Sequence, residues 1–286
     1  MCSNRSFRKN HRNNLIYPCK DLIWVAPELI AWLLLFGLPF SFSIISSFYS
    51  DDAKNVFEGF KHYYKIFGDS YFFLSLKNTY IFLGFFVLLV MTASTLIAHL
   101  LFSKTQSRWI LIPLLLPLFF PSPAIASIWK VLFGKGSWIV SILKARDEPW
   151  KYFVLLVLMF WKTIGAAALV YYIELRKMDT LILDAASIDG VTGRKAFIYI
   201  ELPQLKQISV YVVFFLAVNV IRIFRESYML YGAYPPRNLF FLQHYIYLHY
   251  VRLNYGTLSA AGTVFSFIML VLLALPTIIM ARGDAK

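Results

Sequence analysis

Charge is scarce in this chain of 286 residues: charged side chains make up 15% of it, against roughly a quarter in a soluble globular domain. Cysteine is scarcer still. Only Cys2 and Cys19 are present, both ahead of the first apolar run, which excludes a disulfide framework and offers no metal-ligand spacing. No GxxxxGK[ST] phosphate loop occurs, so any ATP hydrolysis belongs to another chain. His11, His62, His99, His244 and His249 fall in no HExxH setting, and a GxSxG elbow is missing as well. Tandem repeats and low-complexity linkers are also lacking. No loop between apolar runs exceeds about 35 residues, whereas an independently folding domain usually needs 50 or more. The chain shows no catalytic setting and no cofactor motif of its own, which argues against an enzyme.

Apolar sequence is plentiful: 59% of residues are hydrophobic and 18% aromatic, with mean hydropathy +0.63. A hydrocarbon core of about 30 Å takes roughly 20 apolar residues per helix. Six such runs are present, at 22–49, 78–102, 109–131, 151–172, 208–226 and 257–281. The expectation is an all-α integral membrane protein of six spans: a basic tail at 1–21, a first span at 22–49, and a core domain at 50–286 that includes a polar loop at 173–207. The first run is too long for a secretory signal core of roughly 7–15 residues, so it reads as a retained span.

The net charge of +13 is spread through the loops and forms no aromatic-interleaved basic face, so it argues against nucleic acid and for topology and anionic lipid. With the N-terminus inside, the cytoplasmic segments carry 14 Lys and Arg in 67 positions and the outer ones nine in 77. This bias points to a cytoplasmic N-terminus and puts 173–207 in the cytoplasm.

That loop holds the most informative stretch, DAASIDGVTGRKAFIYIELP, from Asp184 to Pro203. Asp179-Thr180 offers helix caps, residues 181–188 favour a short helix, and Gly190 ends it by accepting the left-handed backbone of a helix stop. Phe197, Ile198 and Ile200 are apolar, and Pro203 marks a further boundary. Two short elements at an angle follow. An ordinary amphipathic helix on the inner leaflet is the plainer alternative.

The order acid-Ala-Ala, three residues, Gly, nine residues, Ile-x-Leu-Pro resembles the EAA loop of membrane-spanning permeases in binding-protein-dependent ABC importers. The resemblance implies that Asp184, Ala185, Ala186, Asp189, Gly190, Ile200, Leu202 and Pro203 form a docking element for an ATPase subunit. Asp184 stands where the family usually has Glu, and its shorter side chain reduces reach toward a basic partner. Flanking segments, VFEGFKHYYKIFGDSYFFLSLKNTYIF at 56–82, IFRESYMLYGAYPP and LQHYIYLHYVRLNYGTLSAAG, resemble the maltose/lactose-type carbohydrate branch. The implied partners are a second permease, most often a paralogue in that branch, two ATPase subunits carrying ATP, and an extracytoplasmic solute-binding protein.

Ionisable groups inside spans mark pathways, because exposing one to lipid at mid-membrane costs at least about 2.5–3.5 kcal/mol. Lys162, Arg222, Arg225 and Glu226 qualify, and Asn219 and Tyr228 add groups that suit a sugar ring. An Arg222–Glu226 pair at helical spacing with snorkelling toward the outer interface is the competing reading, as is a bond from Lys162 to a partner subunit. Pro113, Pro117, Pro121 and Pro123 interrupt the third run, giving either a kink or an uneven helix beside a cavity. A permease for another small polar solute, a stand-alone secondary transporter, a membrane enzyme and a channel are the other classes. The sequence offers no internal halves, no catalytic setting and no filter for the last three.

Overall fold

The computed structural model describes residues 19–50, 56–103, 111–134, 136–143 and 147–283. Cys2, Arg5, Arg8, Lys9, Arg12, Lys104 and Arg108 lie outside them. The described chain is helical, save for an isolated bridge between Tyr49 and Phe57.

Helices α1 (Cys19–Trp32) and α2 (Leu38–Ser46) run into each other through a π-helical turn at Leu33–Gly37. A short α3 (Lys61–Phe67) precedes α4 (Ser70–Ser103), the longest helix of the fold. The third apolar run folds as α5 (Leu111–Phe119) and α6 (Ser122–Phe133), and α7 (Trp138–Leu143) leads to α8 (Glu148–Arg176). The loop after α8 holds α9 (Thr180–Ile188), a turn α10 (Arg194–Ala196), a π-helical turn Phe197–Glu201, and α11 (Leu202–Gln204). Then come α12 (Lys206–Ile221), α13 (Phe224–Tyr231), α14 (Leu242–Val251) and α15 (Tyr255–Gly283). Five helical segments are long and apolar enough to cross a bilayer: Val25–Ser46, Ser70–Ser103, Glu148–Arg176, Lys206–Tyr231 and Tyr255–Leu272. The broken pair α5 and α6 makes a sixth. The protein is an all-α integral membrane protein.

The core is a seam between α4 and α8. Phe72, Ser75, Thr79, Phe82, Phe86, Val90, Ser94 and Ala98 are the buried residues of α4, and their three- and four-residue spacing puts them on one face. Between helices in lipid, small residues permit close packing and hydroxyls must find partners. Here Ser75 Oγ donates to Phe72 O (2.7 Å) and Thr79 Oγ1 to Ser75 O (2.7 Å), so neither hydroxyl is left unpaired. Val154, Leu155, Leu158, Met159 and Tyr171 of α8 complete the seam, and Leu216 and Val220 of α12 join it.

The third run departs most from a simple span. Its two halves meet at 108°, far more than the kink its prolines could have given. Pro121 is extended, at φ −64° and ψ 140°, and Ser122-Pro123 opens α6. A proline disfavours helix in the residue before it but is welcome in a first helical turn, where its missing N–H has no partner anyway. The broken backbone is covered on one side by α8. There Gly165 leaves no room for a side chain: a Cβ would sit 1.8 Å from the Leu114 carbonyl oxygen.

The fifth run also breaks, at Arg222 (φ −89°, ψ 7°), and continues to Tyr231, five residues past the expected end at 226. Helix α14 packs back against α4 and α15. Asn78 Nδ2 donates to Arg237 O (2.8 Å) and Phe240 O (3.0 Å), and Leu242 N donates to Thr79 Oγ1 (3.0 Å). These three bonds pin the 237–242 segment to the second span.

Overfilling the α5–α8 contact tests this packing. Gly165→Val should lower unfolding stability by about 1–3 kcal/mol, the usual range for overpacking, read as an earlier thermal loss of the monodisperse detergent-solubilised protein. Gly84→Val, at a glycine with nothing within 4 Å of its added Cβ, should leave the transition in place.

Candidate functional site

Helix α9 begins at Asp179, whose carboxylate accepts from Leu181 N at 3.0 Å. Its end is a Schellman closure: Val191 N donates to Ala186 O (2.8 Å) and Gly190 N to Ser187 O (3.1 Å), with Gly190 at φ +75°. A side chain at 190 would be strained by that backbone. Asp184, Ala185 and Asp189 are exposed and Ala186 is half-buried. Leu181, Ile182 and Ile188 are exposed too, Ile188 at 87%. An apolar helix face outside the spans with this much uncovered surface marks an interaction site.

The second half of the loop is held differently. Ala196, Glu201 and Leu205 are buried, Ile200 is half-buried, and only Leu202 and Pro203 of the expected docking set in this half are exposed. Glu201 Oε2 lies 2.7 Å from His99 Nδ1 near the end of α4, and the His99 ring packs on Phe197 with centroids 4.7 Å apart. Neither His99 nor Glu201 was among the expected site residues. The signal was there, since His99 is the one ionisable side chain other than tyrosine in the 80–101 run and Glu201 interrupts an apolar stretch before Leu202-Pro203.

Within the membrane, three elements converge on Lys162. Its Nζ donates to Glu226 Oε1 (2.5 Å) and to Ser122 Oγ (2.8 Å). Glu226 is 1% exposed. The pair therefore ties α8 to α13 and to the start of α6, beside the corner of the broken run, and the Lys162 partner belongs to the same chain. Arg222 does not share this cluster: Glu226 takes Lys162, with Arg225 Nε more distant at 3.9 Å. Arg222 and Arg225 are exposed, and Asn219 Nδ2 donates to Phe215 O (2.9 Å) one turn back. So the six expected path residues split into a buried tie, Lys162 and Glu226, and an accessible set.

Tyr228 belongs to the accessible set. Its hydroxyl meets that of Tyr247 at 3.2 Å, and Phe224, Tyr228 and Tyr247 form a ring cluster with centroids 5.2–5.4 Å apart. His244 lies behind Phe224 (4.9 Å) and accepts from Phe241 N at 3.3 Å, a helix-capping role. Burial holds its pKa down at about 4, so its imidazole is neutral at physiological pH. Two cavities share Tyr234 and Pro235. One, of about 590 Å³, carries Tyr71, Arg237 and Arg252; the other, of about 1030 Å³, carries Lys130, Trp150 and Lys151.

This architecture matches solved structures. A chain of the bacterial ABC transporter that imports the acidic polysaccharide alginate superposes with TM-score 0.79 at 19% identity, covering 93% of this chain and 97% of that one. A second structure, of the alginate transporter with its pentasaccharide-bound periplasmic protein, gives 0.77 at 20% identity. By sequence, the arabinooligosaccharides transport system permease protein AraP of Halalkalibacterium halodurans is 25% identical over 266 residues, 87% of this chain and 84% of that one. The sn-glycerol-3-phosphate transport system permease protein UgpA of Shigella dysenteriae is 27% identical over 272 residues, 87% and 89% of the two chains. Over most of its length this chain is similar to ABC-importer permeases. A scan against protein-family models returned no match. The permease likeness thus extends over nearly all of the fold, spans and loop alike.

Removing one partner of the buried tie should be costly. Lys162→Met leaves Glu226 buried with only the distant Arg225 Nε at 3.9 Å and should destabilise the permease by about 3–5 kcal/mol. The double variant with Glu226→Leu should recover much of that loss, as a thermal-unfolding double-mutant cycle in detergent would read.

Proposed function

We propose that the protein is the membrane-spanning subunit of an ATP-driven importer for a sugar or oligosaccharide, with ATP bound and hydrolysed on separate subunits. The observation that carries this is the uncovered helix Thr180–Ile188. It combines exposed apolar residues, an exposed acid at Asp184 and a glycine-closed end, on a loop that the Lys and Arg distribution puts in the cytoplasm. That combination fits a cleft on an ATPase subunit, with Ala185 allowing close approach and Asp184 facing a basic residue of the cleft. Closure of a pair of ATPases would then displace the loop 184–203 and switch the spans between inward- and outward-facing states.

The sugar reading draws on the arabinooligosaccharide and alginate names of its relatives and on the ring cluster of Phe224, Tyr228 and Tyr247. Aromatic faces and hydroxyls suit sugar rings, and the cationic outer cavities suit a polar solute rather than an apolar one. A phosphorylated polyol is the second reading, favoured by the glycerol-3-phosphate relative. The expected assembly contains a second permease, a paralogue rather than a copy, two ATPase subunits and an extracytoplasmic binding protein. The N-terminus lies in the cytoplasm.

A pull-down in mild detergent from native membranes tests the reading. The tagged permease should bring down a P-loop ATPase and a second permease. Gly190→Asp, which strains the left-handed position and adds charge at the helix end, should leave membrane insertion intact and abolish both ATPase recovery and coupled uptake. Normal ATP-driven uptake in that variant would sink the docking role.

A further inference from the structure

The coupling loop is built as two unlike arms. None of residues 181–195 is buried, whereas Ala196, Glu201 and Leu205 are buried in the membrane domain. A force applied to the free arm enters the spans at two ends, directly into α8 through 177–179 and, on the far side, through the anchored arm. Among the described residues, the His99–Glu201 pair is the ion pair that joins the anchored arm to a span. It is short, at 2.7 Å, and its Glu201 side chain is 5% exposed. A carboxylate so far from water is strongly held to its partner, because separating the two strands a buried charge. Phe197, four residues back in the same π-helical turn, adds a ring contact to the same histidine. Such π-turns are rare and concentrate at working sites.

The other end of the rod matters too. Helix α4 has 34 residues, about 50 Å of helix, so it reaches past a hydrocarbon core of about 30 Å. From His99 to Asn78 is about 31 Å along one unbroken helix. Asn78 and Thr79 hold three backbone groups of the outer 237–242 segment. One stiff element therefore carries a side-chain joint to the coupling loop at its inner end and a joint to the outer segment at the other.

We infer that His99 and Glu201 are positioning residues that pass displacement of the coupling loop into α4, and through Asn78 and Thr79 to the outer 237–242 segment. The inference rests on the reading of 180–203 as an ATPase dock. Its test uses the assembled transporter, isolated from its membranes and reconstituted, with ATP hydrolysis and solute uptake measured on the same vesicles. His99→Ala and Glu201→Gln should each retain the complex and its hydrolysis while lowering uptake per ATP about tenfold, a typical coupling magnitude. Asn78→Ala, at the far joint, should uncouple in the same sense. His99→Asn, whose amide nitrogen can stand in for Nδ1, should recover much of the loss.

Unchanged uptake per ATP in both His99→Ala and Glu201→Gln would overturn the inference. So would loss of the complex itself in all the His99 and Glu201 variants, which would mark a bond needed only for folding. Gly190→Asp run in parallel separates the two layers. If it abolishes uptake while His99→Ala transports normally, only the joint is wrong; if it transports normally, the docking reading has failed first.

Discussion

A polar group inside a bilayer has no water to turn to, and most of this fold follows from that constraint. The hydroxyls of Ser75 and Thr79 bend back onto their own helix. The corner at Pro121 occurs where α8 closes over the broken run, with Gly165 against the Leu114 carbonyl. The ammonium of Lys162 is met by the Glu226 carboxylate of α13 and by the Ser122 hydroxyl at the start of α6, just past the corner. A charge, a glycine and a pair of prolines thus answer one local problem together.

Much of this was legible in the residues. The runs at 80–101 and 258–280 read as spans because nothing charged interrupts them, and the glycine stop at 190 followed from the preference of left-handed backbone for a residue without Cβ. Asn78 and Thr79 lie at the start of the second apolar run, but their partners are some 160 residues away, and nothing local could have named them. The same holds for Lys162 and Glu226. Each was conspicuous as an ionisable group in an apolar run, yet Arg222 offered Glu226 a nearer partner at helical spacing. The structure decides against it: the helix is interrupted at Arg222, and Glu226 takes Lys162 instead.

Proline-rich sequence was harder to read. Four prolines in eleven residues announce irregular backbone but not its angle, which depends on what covers the freed carbonyls. His99 escaped notice for a related reason: a lone histidine near the end of an apolar helix is ordinary until a buried carboxylate is found beside it. Secondary structure and span count come from composition along the chain, whereas ties between spans come from its path through space.

The first span stands apart from these ties. None of its residues from Val25 to Ser46 is buried by the rest of the chain, and it touches the core chiefly where α2 meets α15. It is a module in the architectural sense, hung on the outside of a five-span body whose seams it does not enter. Changes in its length or composition can therefore accumulate without repacking that body, which frees this helix to adapt to the thickness of a membrane or the flank of a neighbour while the interior stays as it is.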